Sequence, residues 1–158
     1  MRHPRPFPAR AFTLIELLII VSILGILASI VIPRFANSKA LATNSALTTS
    51  VSGINTKLAD VFARTGEWPA TIEPAWFIGG EPDHVQNTFG VPMIQTVTTD
   101  GLEHPADKVL KAGVGGAYWY NPNEGVFRAR VVDQGSAAAT LDLYNQVNNA
   151  SEAGLGNY

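Results

Sequence analysis

Residues 12–32 read FTLIELLIIVSILGILASIVI, an uninterrupted apolar run in which Glu16 is the only charged side chain. As a helix rising about 1.5 Å per residue, it spans about 30 Å, the thickness of a bilayer's hydrocarbon core. The run therefore predicts a transmembrane helix. Ahead of it stands MRHPRPFPARA, with Arg2, Arg5 and Arg10 and no acid. Positive flanks of this kind stay on the cytoplasmic side, which leaves the remainder of the chain outside. An ordinary secretory signal has the same order of segments, but its apolar core is usually only about 7–15 residues long. An acid at the leading edge also has no use in such a signal. A carboxylate costs about 2.5–3.5 kcal/mol at the centre of a membrane helix and less near its end, so Glu16 calls for a partner.

The rest of the composition is consistent with one unusual segment on a small domain. The chain has 158 residues, enough for one domain with an appendage. Charged residues are 15% of it, well below the roughly 25% of an average soluble domain, while apolar residues are an ordinary 46%. Eleven basic residues against thirteen acidic ones leave a net charge of −2, which argues against a nucleic-acid partner. The absence of cysteine excludes a disulfide framework, a thiolate metal site and thiol chemistry.

Past Pro33 the chain turns polar but keeps a helical pattern. Leu47, Val51, Ile54, Leu58 and Phe62 recur at spacings of three and four, which makes one apolar stripe. Gly66, with Pro69 shortly after, is a stop signal. If Pro33 only kinks the backbone, one helix runs from Phe12 to about Thr65, about 80 Å in all. If it breaks the backbone, a membrane anchor is followed by a separate soluble helix. Beyond Trp68 the pattern reads as strands and turns. Trp76-Phe77-Ile78 and Val91–Val97 are candidate strands, and Ala117–Val132, turning at Asn121–Gly125, is the clearest hairpin. Thr140–Val147 is a last candidate strand. The predicted fold is α+β, a long N-terminal helix laid on a small antiparallel sheet that covers the stripe.

Ala-Phe-Thr-Leu-Ile-Glu-Leu-Leu, residues 11–18, resembles the processing motif of type IV pilins and type II secretion pseudopilins. The basic leader, Phe12, the lone Glu16, Gly25 and Pro33 all fall where that family has them, with Ala11 standing where most members have glycine. The resemblance implies that a prepilin peptidase cuts between Ala11 and Phe12 and methylates the new amino group. Losing three of the 11 basic residues would leave 8 against 13 acids, a net charge of −5. It further implies four segments: a cleaved leader 1–11, a transmembrane and filament-core half-helix 12–33, an amphipathic half-helix 34–66 and a β-rich head 67–158. The implied product is a filament subunit, closest to a major pseudopilin, with type IV pilus subunits as the alternative. The absence of the cysteine pair common in type IV pilins favours the former. The implied partners are copies of itself, minor pseudopilins or pilins, and an inner-membrane assembly platform. The implied location is the inner membrane with the head in the periplasm, and then the filament. A membrane-anchored binding module that never polymerises is the rival from another class.

Glu16 has three readings. It can pair with the Phe12 amine of its own chain one turn away, pair with the amine of a neighbouring copy, or simply favour the helix start through the macrodipole. The resemblance implies the intermolecular pair. No nucleophile elbow, phosphate-binding loop or HExxH motif is present, so no enzymatic role is predicted. Asp100, Glu103 and Asp107 place three carboxylates in one loop, a possible calcium site, against the plainer reading of a solvated acidic loop. The major pseudopilins hold calcium in a C-terminal loop, although their usual Asp-Pro-Trp-Gly-type stretch is missing here. Tyr118, Trp119 and Tyr120 are read as strand core rather than as an aromatic binding platform.

Overall fold

A computed structural model describes residues 12–156. The leader 1–11, with Ala11 and the cleavage expected beside it, lies outside the described residues. The chain divides into two compact units between Ala40 and Leu41. Helix α1 (Leu14–Thr65) contributes to both. It runs on through position 33, so Pro33 does not end it; a proline in a helix interior removes one hydrogen bond and need only kink the backbone. The segment Leu14–Ile32 is long and apolar enough to cross a membrane. Its large apolar side chains are all exposed, from Val31 at 44% to Leu14 at 88%.

From Leu41 onward the second unit is built on the apolar stripe. Leu47, Val51, Ile54 and Leu58 are buried, and each contributes about 1.5–3 kcal/mol by leaving water. Phe62, at the end of the stripe, stays partly exposed and stacks on Trp68 at 4.2 Å. The helix stops where Gly66 takes a φ of +77° and donates its N–H to the Phe62 carbonyl at 2.8 Å. The stripe shares one core with Tyr118, Tyr120, Phe127, Ala129 and Val131.

Those residues belong to or adjoin a three-stranded sheet in the order β1 (Ile94–Thr96), β2 (Tyr118–Asn121), β3 (Val126–Ala129). The hairpin β2–β3 is antiparallel, with Tyr118 opposite Ala129 and Tyr120 opposite Phe127. Gly125 closes its turn at a φ of +64°. The sheet as a whole is mixed, not antiparallel as expected, because β1 pairs parallel to β2 with Ile94 opposite Tyr118. The long 97–117 connection makes that possible, since parallel neighbours need a crossover rather than a tight turn.

Two further expectations are corrected. The Trp76-Phe77-Ile78 segment is not a strand: Pro74–Trp76 is a 3-10 turn, with Pro74 in its first position. Thr140–Val147 lies inside a helix, α2 (Ala137–Asn148). Ser136 caps it through a bond from the Ala139 N–H at 3.3 Å, and Asn149 ends it in the left-handed region at a φ of 46°. The alternation of Leu141 and Leu143 imitates a strand. The residues the helix buries are Thr140, Leu143, Tyr144, Val147 and Asn148, which follow the helical period.

Candidate functional site

The start of α1 carries the chemistry singled out in the sequence. Thr13 and Glu16 form a reciprocal cap. The backbone N–H and the hydroxyl of Thr13 both donate to Glu16 Oε2 at 3.0 Å, and the Glu16 N–H donates to Thr13 Oγ1 at 3.2 Å. This is the arrangement of a capping box, which satisfies helix-start donors that have no partner in the helix. The pattern T-x-x-E at residues 13–16 was legible in the sequence as a helix start. Thr13 is as much a part of this site as Glu16, although it carries no charge.

Along the span the other polar side chains are satisfied locally. Ser22 donates to the Leu18 carbonyl at 2.8 Å and Ser29 to the Ile26 carbonyl at 2.7 Å. Glu16 is thus the single charge on the otherwise internally satisfied apolar span Leu14–Ile32. A Cβ built on Gly25 would meet nothing within 4 Å, so the helix surface has an open notch there. Position 33 continues the helix.

The acidic loop does not gather a cation site. Asp100 Oδ1 accepts from Asn123 Nδ2 at 2.6 Å, across to the hairpin turn. Asp107 pairs with Lys111 at 3.7 Å, and its backbone carbonyl accepts from Arg130 Nε at 2.7 Å. Glu103 acts electrostatically on His104 and Arg128 instead. Among the described residues no three Asp, Glu, His or Cys side chains come together as metal ligands. Calcium binding by Asp100, Glu103 and Asp107 therefore finds no preformed geometry here. The residues lie close in sequence, but Asp100 and Asp107 are committed to different neighbours.

The aromatic run is core. Tyr118, Trp119 and Tyr120 are buried; the Tyr118 hydroxyl donates to the Asp83 carbonyl at 2.7 Å and that of Tyr120 to the Pro69 carbonyl at 2.5 Å. Burial pushes both phenols up to about 12. His84 lies outside any helix or strand yet is only 3% exposed. Its ring lies edge-on to Tyr118 at 4.7 Å, and Nε2 meets the Arg130 carbonyl at 3.0 Å. A carbonyl only accepts, so Nε2 carries the proton, and buried Nδ1 has no partner. Burial lowers its pKa to about 4 against the opposing pull of the Arg130 carbonyl and Asp83.

The N-terminal sequence has a counterpart among known proteins. Residues 7–32 match the family model of the prokaryotic N-terminal methylation motif. The match covers under a fifth of the chain and takes in Phe12, Thr13, Glu16 and Gly25. It supports a type IV pilin-like subunit, structural rather than enzymatic, processed by a prepilin peptidase and assembled with other pilins. The motif and the apolar helix together are consistent with a membrane-anchored subunit. No solved structure matches the chain.

Proposed function

We propose that this chain is the major subunit of a type II secretion pseudopilus. It is inserted with its N-terminus in the cytoplasm and its head in the periplasm, then cut between Ala11 and Phe12 and methylated on Phe12. An inner-membrane platform lifts it into a helical filament alongside minor pseudopilins, with residues 12–32 forming the filament core.

The observation that carries this reading is the lone carboxylate of Glu16 near the head of the span Leu14–Ile32, whose large apolar side chains are all exposed. Only Oε2 enters the bonds to Thr13. The carboxylate can cap its own helix and still meet the cationic amine of Phe12 in a neighbouring copy. The amine created by cleavage has an unperturbed pKa of about 7.7–8.0 and is largely charged near neutrality. Pairing lowers the cost of holding both charges among apolar helices, so the pair sets the register of each added subunit. Apolar helices gain little by leaving lipid for one another, so close packing must supply the rest, and the notch at Gly25 allows a close approach. A contact that repeats head to tail without closing produces a filament.

Glu16→Gln is the test. Sheared or detergent-resistant polymer is expected from the wild-type chain and should be lost from the variant, with equal amounts of both in the membrane. Polymer from Glu16→Gln at the wild-type level would overturn the reading. The choice of machine is tested separately: loss of the subunit should stop release of folded exoproteins and leave surface pili intact.

A further inference from the structure

Among the described residues, Arg128 on β3 is a cation without a bonded partner. Its Nε is buried without a hydrogen bond, and no carboxylate among the described residues lies within ion-pair distance of it. Glu103 and Glu152 act on it only at longer range, and Glu152 is already held by Lys108 at 3.1 Å and by His104 at 3.4 Å. Arg128 lines a groove of about 640 Å³ between α1 and the end of α2. It is the one charged residue of that lining; Ser52, Thr56, Gln146 and Asn149 are among the others.

A second cleft, of about 300 Å³, lies between α1 and the 77–85 loop. Its rim has the opposite character. Glu81 and Asp83 are exposed acids there, and Ile78 stands 82% exposed beside half-exposed Val85. The α1 residues of this cleft are Ala46, Leu47, Thr49 and Ser50, while those of the groove include Val51, Ser52, Asn55 and Ala59. At 3.6 residues per turn the two sets point in roughly opposite directions from the helix axis. The acid-and-isoleucine rim and the Arg128 groove are therefore opposite flanks of one head.

We propose that the Glu81 rim of one copy docks in the Arg128 groove of the next copy of this chain. The rim supplies the carboxylate that the groove lacks, and Ile78 leaves water on docking. Complementary charge fixes which flank meets which, and like flanks repel or leave Arg128 unpaired. Because the two flanks face apart, the contact is heterologous and repeats without closing. This inference rests on the filament reading and names the surfaces by which the heads would meet.

The chain has no cysteine, so paired cysteines report the contact without background. The full-length chain carrying both Glu81→Cys and Thr56→Cys is expressed in cells that assemble the polymer and is oxidised with copper–phenanthroline. A ladder of covalent multimers is expected from the double variant and none from either single variant. Wild-type polymer together with a double variant that polymerises without a ladder would overturn the docking and leave the filament standing. Absence of any polymer from the wild-type chain would overturn both. Dimers from a single variant would show like flanks meeting and also overturn the docking. As a second reading, Glu81→Arg, on an exposed loop, should reduce polymer at least tenfold, and Arg128→Glu in the same chain should restore it. No loss with Glu81→Arg would count against the proposal.

Discussion

The side chain of Asn148 pairs with the backbone of Ala129 as a neighbouring strand would. Its Oδ1 accepts the Ala129 N–H at 2.7 Å, and its Nδ2 donates to the Ala129 carbonyl at 2.9 Å. Two residues away, Asn55 of α1 treats Phe127 in the same manner, at 3.1 and 3.0 Å. The 108–110 segment completes the row by bonding to Val131 on both sides. The outer edge of β3 is thus closed by two helices and a loop, which removes an open template for unwanted pairing. Asn148→Ala strands two buried backbone groups and should cost about 2–4 kcal/mol, read as a lower urea midpoint for the detergent-solubilised chain. Gln146→Ala, at an exposed position of the same helix, should cost far less.

The Thr13–Glu16 cap separates charge from hydrogen bonding at the helix start. Glu16→Gln keeps a carbonyl oxygen that can accept from Thr13, whereas Glu16→Ala keeps nothing. Amide exchange at Thr13 in micelles should therefore stay slow in Glu16→Gln and become fast in Glu16→Ala. Thr13→Val should also fray the first turn, at a cost of about 0.5–2 kcal/mol. Unchanged exchange in Glu16→Ala would show that the cap is not formed in the membrane.

His84 ties acid stability to a single ring. In the unfolded chain it titrates near its usual 6.5, and in the folded protein at about 4, because protonation would place a second N–H in a buried site without an acceptor. Between these values the unfolded state binds more protons, so folding stability falls as pH drops from 6.5 towards 4. The contribution is roughly 3 kcal/mol over that window. Urea midpoints taken across it should fall steeply for the native chain and more gently for His84→Gln. Parallel slopes would remove His84 from the account.

Gly125 holds the hairpin turn against Trp68. Its φ is +64°, and a Cβ there would lie 2.2 Å from the indole ring. Gly125→Ala combines backbone strain with displacement of a ring stacked on Phe62, and should cost about 1–3 kcal/mol. The loss should appear in tryptophan fluorescence as well as in the melting temperature.

Much of this molecule was legible from residue order alone. The apolar run at 12–32, the stripe Leu47–Leu58, the Gly66 stop and the hairpin around Gly125 are local patterns, and a local pattern carries its own physical cause in length, period or φ. The Thr13-x-x-Glu16 cap is of the same kind. Other features depended on tertiary contacts. Thr140–Val147 satisfies both periods over eight residues, and burial of Thr140, Leu143, Tyr144 and Val147 against the sheet selects the helix. The parallel pairing of β1, the enclosure of His84 and the edge-closing asparagines join residues far apart in the chain. The carboxylates of Asp100 and Asp107 bond to Asn123 and Lys111 instead of to a shared site. Spacing along the backbone sets which groups are near in sequence, but packing decides which of them meet.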